Sequence, residues 1–356
     1  MPKTTVEIAI EEGQRCLKAS PVIVLGSGAS IPAGLPSMGA LAAHLKGSMR
    51  DGVLSGSDEG LWDQFINELA TKDLESALHA IKLSEKLSDH VVEQTWSLIS
   101  AADARVFEAV LGDVNHLPLA RLYRHLFNST NRTISVVTPN YDRLAEYAAD
   151  RAGYCHHTGF SYGYLRQRQS GSRLSFRQDN QQARTVDIWK VHGCLDWFID
   201  QDGQVIALTS ARSIPTGRRP AIVTPGIEKY ERTHLEPFRS IIAGADGALA
   251  RASAYLCVGF GFNDTHIQPK LLERWKRGDA FLVVLAKELS KTAKKMLEGA
   301  NGQHFLALEE ADNGEEGEGG KADGRQQVVF HAGPTFHVVG VLHRAVCTRH
   351  GLFLEP

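Results

Sequence analysis

Short runs of buried-type residues recur along this chain and alternate with stretches of helical periodicity. Val22–Leu25, Ile134–Val137, Val186–Trp189, Ala221–Thr224, Tyr255–Val258 and Phe281–Leu285 each read as a strand covered on both faces. Leu41, Leu45 and Met49 lie at helical spacing after the first run, Leu144 and Tyr147 follow the second, and helical segments follow the last two. A strand that is apolar on both faces needs helices above and below it, and helical crossovers join strands in parallel. The pattern therefore predicts an α/β fold, a mostly parallel sheet flanked by helices. From about residue 50 to 130 the periodicity stays helical, with Leu61, Phe65 and Leu69 on one stripe and Leu119, Leu122 and Leu126 on another. That block predicts a helical insertion lobe.

Two stretches break the pattern. Gly159–Gln182 is rich in Arg, Gln, Ser and Gly with little periodicity, which predicts a surface loop able to order over a ligand. Residues 309–324 are acidic and glycine-rich, too poor in apolar surface to fold alone, and predict a mobile loop. Beyond them Val328–Phe330 and a helical stretch from Val338 to Cys347 are expected to rejoin the fold. The chain then divides into one domain over 1–300, containing the lobe, and a C-terminal extension over 301–356.

Composition removes several classes. A net charge of -2 and a pI near 6.7 offer no basic footprint for direct nucleic-acid binding. Cys16, Cys155, Cys194, Cys257 and Cys347 are scattered singly with no Cys-x-x-Cys pair, which fits reduced thiols in the cytoplasm. Residues 1–13 carry no apolar core of a secretory signal, and the Phe281–Ala286 run is far short of the roughly 20 residues a spanning helix needs, so no membrane is expected. His156 and His157 lack a second ligand pair at metal spacing, so no metal is assigned.

The chemistry-bearing residues cluster where strands end. Gly26, Ser27, Gly28, Ala29 and Ser30 follow the first strand in a turn that either cradles a pyrophosphate or is a tight turn without ligand. Asn140 and Asp142 follow the second, where one of them can equally cap the next helix. His192 follows the third and precedes Gly193; imidazole serves as a base near neutral pH, although a lone histidine is more often structural. Gly259, Gly261 and Asp264 repeat the strand, glycine turn and helix arrangement, with Asn263 or Asp264 as a cap.

In this order the fragments, together with Ala33–Ser37, resemble the NAD-consuming core of the sirtuin superfamily, from about residue 20 to 290. The resemblance implies a Rossmann-like fold with NAD as substrate. Gly26, Ser27, Gly28, Ala29 and Ser30 would lie on the phosphates with Pro36 and Ser37 beside them, and Gly259, Gly261 and Asp264 would line the pocket. Asn140 and Asp142 would meet the ribose and His192 would be the base. The zinc ribbon of the deacetylase branch has no counterpart, because residues 194–257 contain only Cys194 and Cys257. The acyl-lysine-pairing segment is also missing. These departures resemble the zinc-free bacterial sirtuin-like effectors of anti-phage defence, Thoeris-type and HerA-associated. They imply an NAD+ glycohydrolase (NADase) of abortive infection, working as a homo-oligomer or with a HerA-like ATPase. Protein deacylation, ADP-ribosyl transfer and a non-catalytic NAD or ADP-ribose sensor are the alternatives.

Overall fold

The computed structural model describes residues 5–48, 56–113, 115–168, 176–224, 235–264, 266–300 and 304–310, and the backbone of four strands between 328 and 353. Its centre is a sheet of nine strands in the order β15-β14-β13-β12-β11-β1-β2-β7-β3. These are β1 (Val22–Leu25), β2 (Thr133–Thr138), β3 (Cys155–His157), β7 (Thr185–Lys190), β11 (Ala254–Val258), β12 (Phe281–Leu285), β13 (Phe305–Glu310), β14 (Val328–Ala332) and β15 (Val338–Leu342). From β13 to β3 every pairing is parallel, and β14 and β15 extend the β13 edge in antiparallel sense. The α/β expectation is met.

The side-chain alternation of β1 shows why both faces must be covered. Val22 and Val24 pack with Tyr255, Leu282, Leu249, Leu271 and Leu297, bringing α9 (Phe238–Arg251), α10 (Gln268–Lys276) and α11 (Lys291–Glu298) onto one face. Ile23 and Leu25 point the other way, among Val136, Ile188, Val106, Tyr123 and Ala148, which places the end of α6 (Glu85–Gly112), α7 (Pro118–Leu126) and α8 (Leu144–Ala152) there. Beside them α1 (Thr5–Lys18) packs Ala9 and Cys16 on Leu256 and Val283.

Between β1 and β2 the chain is helical. After the short turn α2 (Ser27–Ser30) come α3 (Met38–Gly47), α4 (Gly56–Thr71), α5 (Leu74–Ala80), α6 and α7. The lobe has its own core, Leu41, Leu45, Trp62, Phe65, Leu74, Leu78, Leu87 and Val91. The N-terminal part of α6 belongs to that core, while Val106 and Val110 near its other end lie in the core of the main sheet.

Three expectations need correction. Ala221–Thr224 is not a strand of the parallel sheet: β10 (Arg219–Ile222) pairs antiparallel with β8 (Gly193–Ile199) in a second sheet, β10-β8-β9-β4, with β9 (Val205–Leu208) and β4 (Leu165–Gln167). The Gly159–Gln182 stretch is not all loop. It supplies β4 and the hairpin β5 (Arg177–Gln178) with β6 (Gln181–Gln182), because backbone pairing with β9 orders β4 whatever its side-chain pattern. The helical expectation for Val338–Cys347 also fails. Val338–Leu342 and Val346–Thr348 are strands, the second (β16) paired with β17 (Gly351–Phe353), in keeping with their β-branched valines. Residues 311–324 of the acidic stretch lie outside the described residues.

Candidate functional site

In the sheet, β1 has β2 on one side and β11 on the other, so strand order reverses at β1. Open α/β sheets bind ligands in the crevice outside the carboxyl ends of the strands at such a switch point. The loops leaving β1, β2, β7 and β11 carry Gly26–Ser30, Asn140–Asp142, His192 and Gly259–Asp264 to that end.

A hydrogen-bond chain ties the first two loops. Asn140 Nδ2 donates to Gly26 O at 2.9 Å and to Ser30 Oγ at 3.0 Å, and Ser30 Oγ donates to Asp142 Oδ2 at 2.8 Å. Asp142 Oδ1 accepts from Leu144 N at 3.1 Å, closing the turn just ahead of α8, whose N-cap is Arg143. Thr138 Oγ1 links both strands below, donating to Leu25 O and accepting from Asn140 N. Among the described residues the amide nitrogen of Asn140 is committed, and Oδ1 is the group it can offer a ligand.

The glycines bring protein to protein. A Cβ on Gly26 would stand 2.2 Å from Gly259 O, and one on Gly259 would stand 2.2 Å from Ala29 N. The β1 and β11 loops therefore touch backbone to backbone, with Gly28 N donating to Gly259 O at 3.1 Å and Ala29 N to Gly26 O at 3.0 Å. Those two amides are spent inside the protein, while Ser27 and Gly28 are exposed. Gly193, at φ 94°, is likewise placed by packing, since a Cβ there would stand 2.1 Å from Ala221 O on β10. Ser37 caps α3 by accepting from Ala40 N at 3.2 Å, and Pro36 is half-buried just before it.

Behind the β2 loop lies a buried ionic array that sequence reasoning missed. Lys190 Nζ donates to Asp142 O and stands 3.3 Å from Glu146 Oε1. Burial alone would lower the Lys190 ammonium, yet Cys194, Glu146, Asp142 and Asp196 together hold it above the ordinary lysine value. Burial raises the Asp142 carboxyl, against the pull of Lys190, Ser30 and Leu144 N. On the α6 side Arg143 grips Asp103 through Nε at 3.0 Å and Nη2 at 2.6 Å, and Tyr147 donates to the same carboxylate at 2.6 Å. A lysine at the end of a strand-like run, two residues before a candidate base, was the one available signal.

His192 is buried. Its Nε2 stands 3.2 Å from Asp264 Oδ2, an ion-pair distance, with the oxygen off the ring N–H axis. Asp264 Oδ1 accepts from His266 N at 2.9 Å and Ile267 N at 3.2 Å, closing the turn ahead of α10, whose N-cap is Ile267 rather than the expected Asn263 or Asp264. The His266 ring stands edge-on to that of His192, 5.7 Å between centroids. Gly259 and the non-glycine Phe262 both have φ of 57°, and the buried Phe262 ring is locked against Phe260 at 5.0 Å. A left-handed bulky residue costs about 1–2 kcal/mol, and here the turn that contains it places Asp264 against His192.

Residues 134–303 match the family model of a SIR2-like domain. The matched segment takes in Asn140, Asp142, His192, Gly259, Gly261 and Asp264; the Gly26–Ser30 turn precedes it. No curated protein matches the chain. Similar solved structures include one described as the structural basis for the mechanism and regulation of Sir2 enzymes, at 17% identity over 80% of this chain and 89% of that chain, TM-score 0.41. Sir2Tm bound to a propionylated peptide is 16% identical over 79% and 88%, TM-score 0.39. A Sir2 homologue mutant in complex with ADP ribose is 15% identical over 78% and 86%, TM-score 0.41. No described helix is long and apolar enough to cross a membrane. Among the described residues no group of three or more His, Cys, Asp or Glu could hold a metal ion.

Proposed function

We propose that the chain is an NAD+ glycohydrolase that releases nicotinamide and leaves ADP-ribose. The observation that carries this reading is that the Asn140–Ser30–Asp142 chain and the His192–Asp264 pair both sit on loops at the carboxyl ends of the strands around the switch point, within and beside a segment similar to a SIR2-like domain. In the proposed reaction the diphosphate lies against the exposed face of Ser27 and Gly28. The ribose faces Asn140 Oδ1 and the Asp142 loop. As the bond between ribose C1′ and the nicotinamide nitrogen opens, its electron pair leaves with nicotinamide and positive charge grows on the ribose. The fixed dipole of Asn140 and the carboxylate of Asp142 stabilise that charge. Water adds its oxygen to C1′ and gives its proton to His192, so NAD+ and water yield nicotinamide, ADP-ribose and one proton.

Asn140→Ala and His192→Ala are each expected to lower nicotinamide release at least ~100-fold, about 2.7 kcal/mol of barrier. Near-normal NAD loss in both variants would defeat the assignment. The proposed setting is that of an NAD-depleting effector of bacterial anti-phage defence, held silent until triggered. Its support is the resemblance to zinc-free defence effectors, and control through homo-oligomer assembly or a HerA-like ATPase follows from the same source. Activity that falls on dilution, or that needs the partner, is the expected sign.

A further inference from the structure

We propose that Asp264 is a positioning residue for His192: its carboxylate stands against the Nε2 edge of the imidazole, holds the ring in place and stabilises the imidazolium that forms in the reaction. The inference rests on the reading of His192 as base. Three observations carry it. The two side chains are 8% and 9% exposed and stand 3.2 Å apart, so the pair is screened from solvent. The carboxylate is itself immobilised, its other oxygen held by His266 N and Ile267 N. Finally, the β11 loop holds two residues in the left-handed region at the turn that carries this group to His192.

The carboxylate stabilises the imidazolium formed when water is deprotonated, and no proton passes to Asp264. The off-axis geometry suits this role, because hydrogen bonds of catalytic groups are commonly loose before substrate binds and tighten with it. Among the described residues, the His266 ring stands edge-on to that of His192 and the Tyr141 phenol interacts with Asp264.

The test uses the full chain with Asp264→Asn, which keeps an acceptor for the turn and removes the charge. Asp264→Ser, whose hydroxyl caps the same turn, is the second variant. Nicotinamide release is expected to fall at least ~10-fold in kcat with KM for NAD held within about 3-fold. The acid limb of the pH profile should move to lower pH, and Asp264→Asn added to His192→Ala should cost nothing further. A raised KM at unchanged kcat, or additive losses in the double variant, would overturn the proposal and place Asp264 on the substrate. The His192 ring is also titrated by NMR with 13C-labelled histidine, without substrate. Its midpoint should drop in both variants, and an unchanged midpoint would sink the pairing. No nicotinamide release by the wild-type chain, together with a lower His192 midpoint in both variants, would refute the glycohydrolase reading and leave the pair standing.

Discussion

At the scale of single residues, Asp142 illustrates a site maintained against its own solvation. Burial raises its carboxyl above the ordinary value while Lys190, Ser30 and Leu144 N pull the other way. A folded-state value above the unfolded one means that the native chain holds the proton to higher pH. Stability is then lost as pH rises through the interval between the two values, and the ionised group weakens the fold at neutral pH. Asp142→Asn is therefore expected to denature at or above the wild-type midpoint at pH 7. The advantage should shrink as pH falls to ~4, the unfolded carboxylate range. Urea titrations at the two pH values check this, and a variant weaker at pH 7 than at pH 4 relative to wild type would show that the Lys190 attraction wins.

At the scale of elements, α6 is the beam that joins lobe and site. From Glu85 to Gly112 it spans 28 residues, about 42 Å, with its first half in the lobe core and its last turns against the main sheet. Asp103 sits fully buried on that helix and accepts from Arg143 N, the Arg143 guanidinium and Tyr147, so the loop after β2 is clamped from below. Removing one partner of a buried pair strands the other charge, at about 3–5 kcal/mol. Asp103→Ala should lose that much in chemical denaturation and slow nicotinamide release with it. A loss under about 1 kcal/mol would mean that the clamp is wet or dispensable.

At the scale of the whole molecule, the lobe is a second core hung between the two central strands. Trp62 is 1% exposed among Phe65, Leu69 and Leu87. Trp62→Ala should cost about 3–5 kcal/mol by emptying that cavity, while KM for NAD at low temperature stays near wild type because these residues pack in the lobe's own core. A large rise in KM would show that lobe and crevice are coupled more tightly than through Asp103 alone.

The sequence by itself determined the parallel sheet, the helical lobe and the loops that carry Gly26, Asn140, His192 and Gly259. Apolar runs with both faces covered and helical stripes are local periodicities, and strand ends follow from them. Tertiary structure alone decided the rest. The second sheet formed where Gly159–Gln182 looked like loop, because β4 draws its order from backbone bonds to β9. Val338–Leu342 became a strand, since a short apolar run is compatible with either period until a partner strand is present. The glycines of the first turn proved to serve contact with Gly259, and the partners Asp103, Lys190 and Asp264 came from elements 40, 48 and 72 residues away from Arg143, Asp142 and His192. Pairing over such separations is a property of packing in three dimensions: a buried charge must find its counter-charge, and no local pattern records which one it meets.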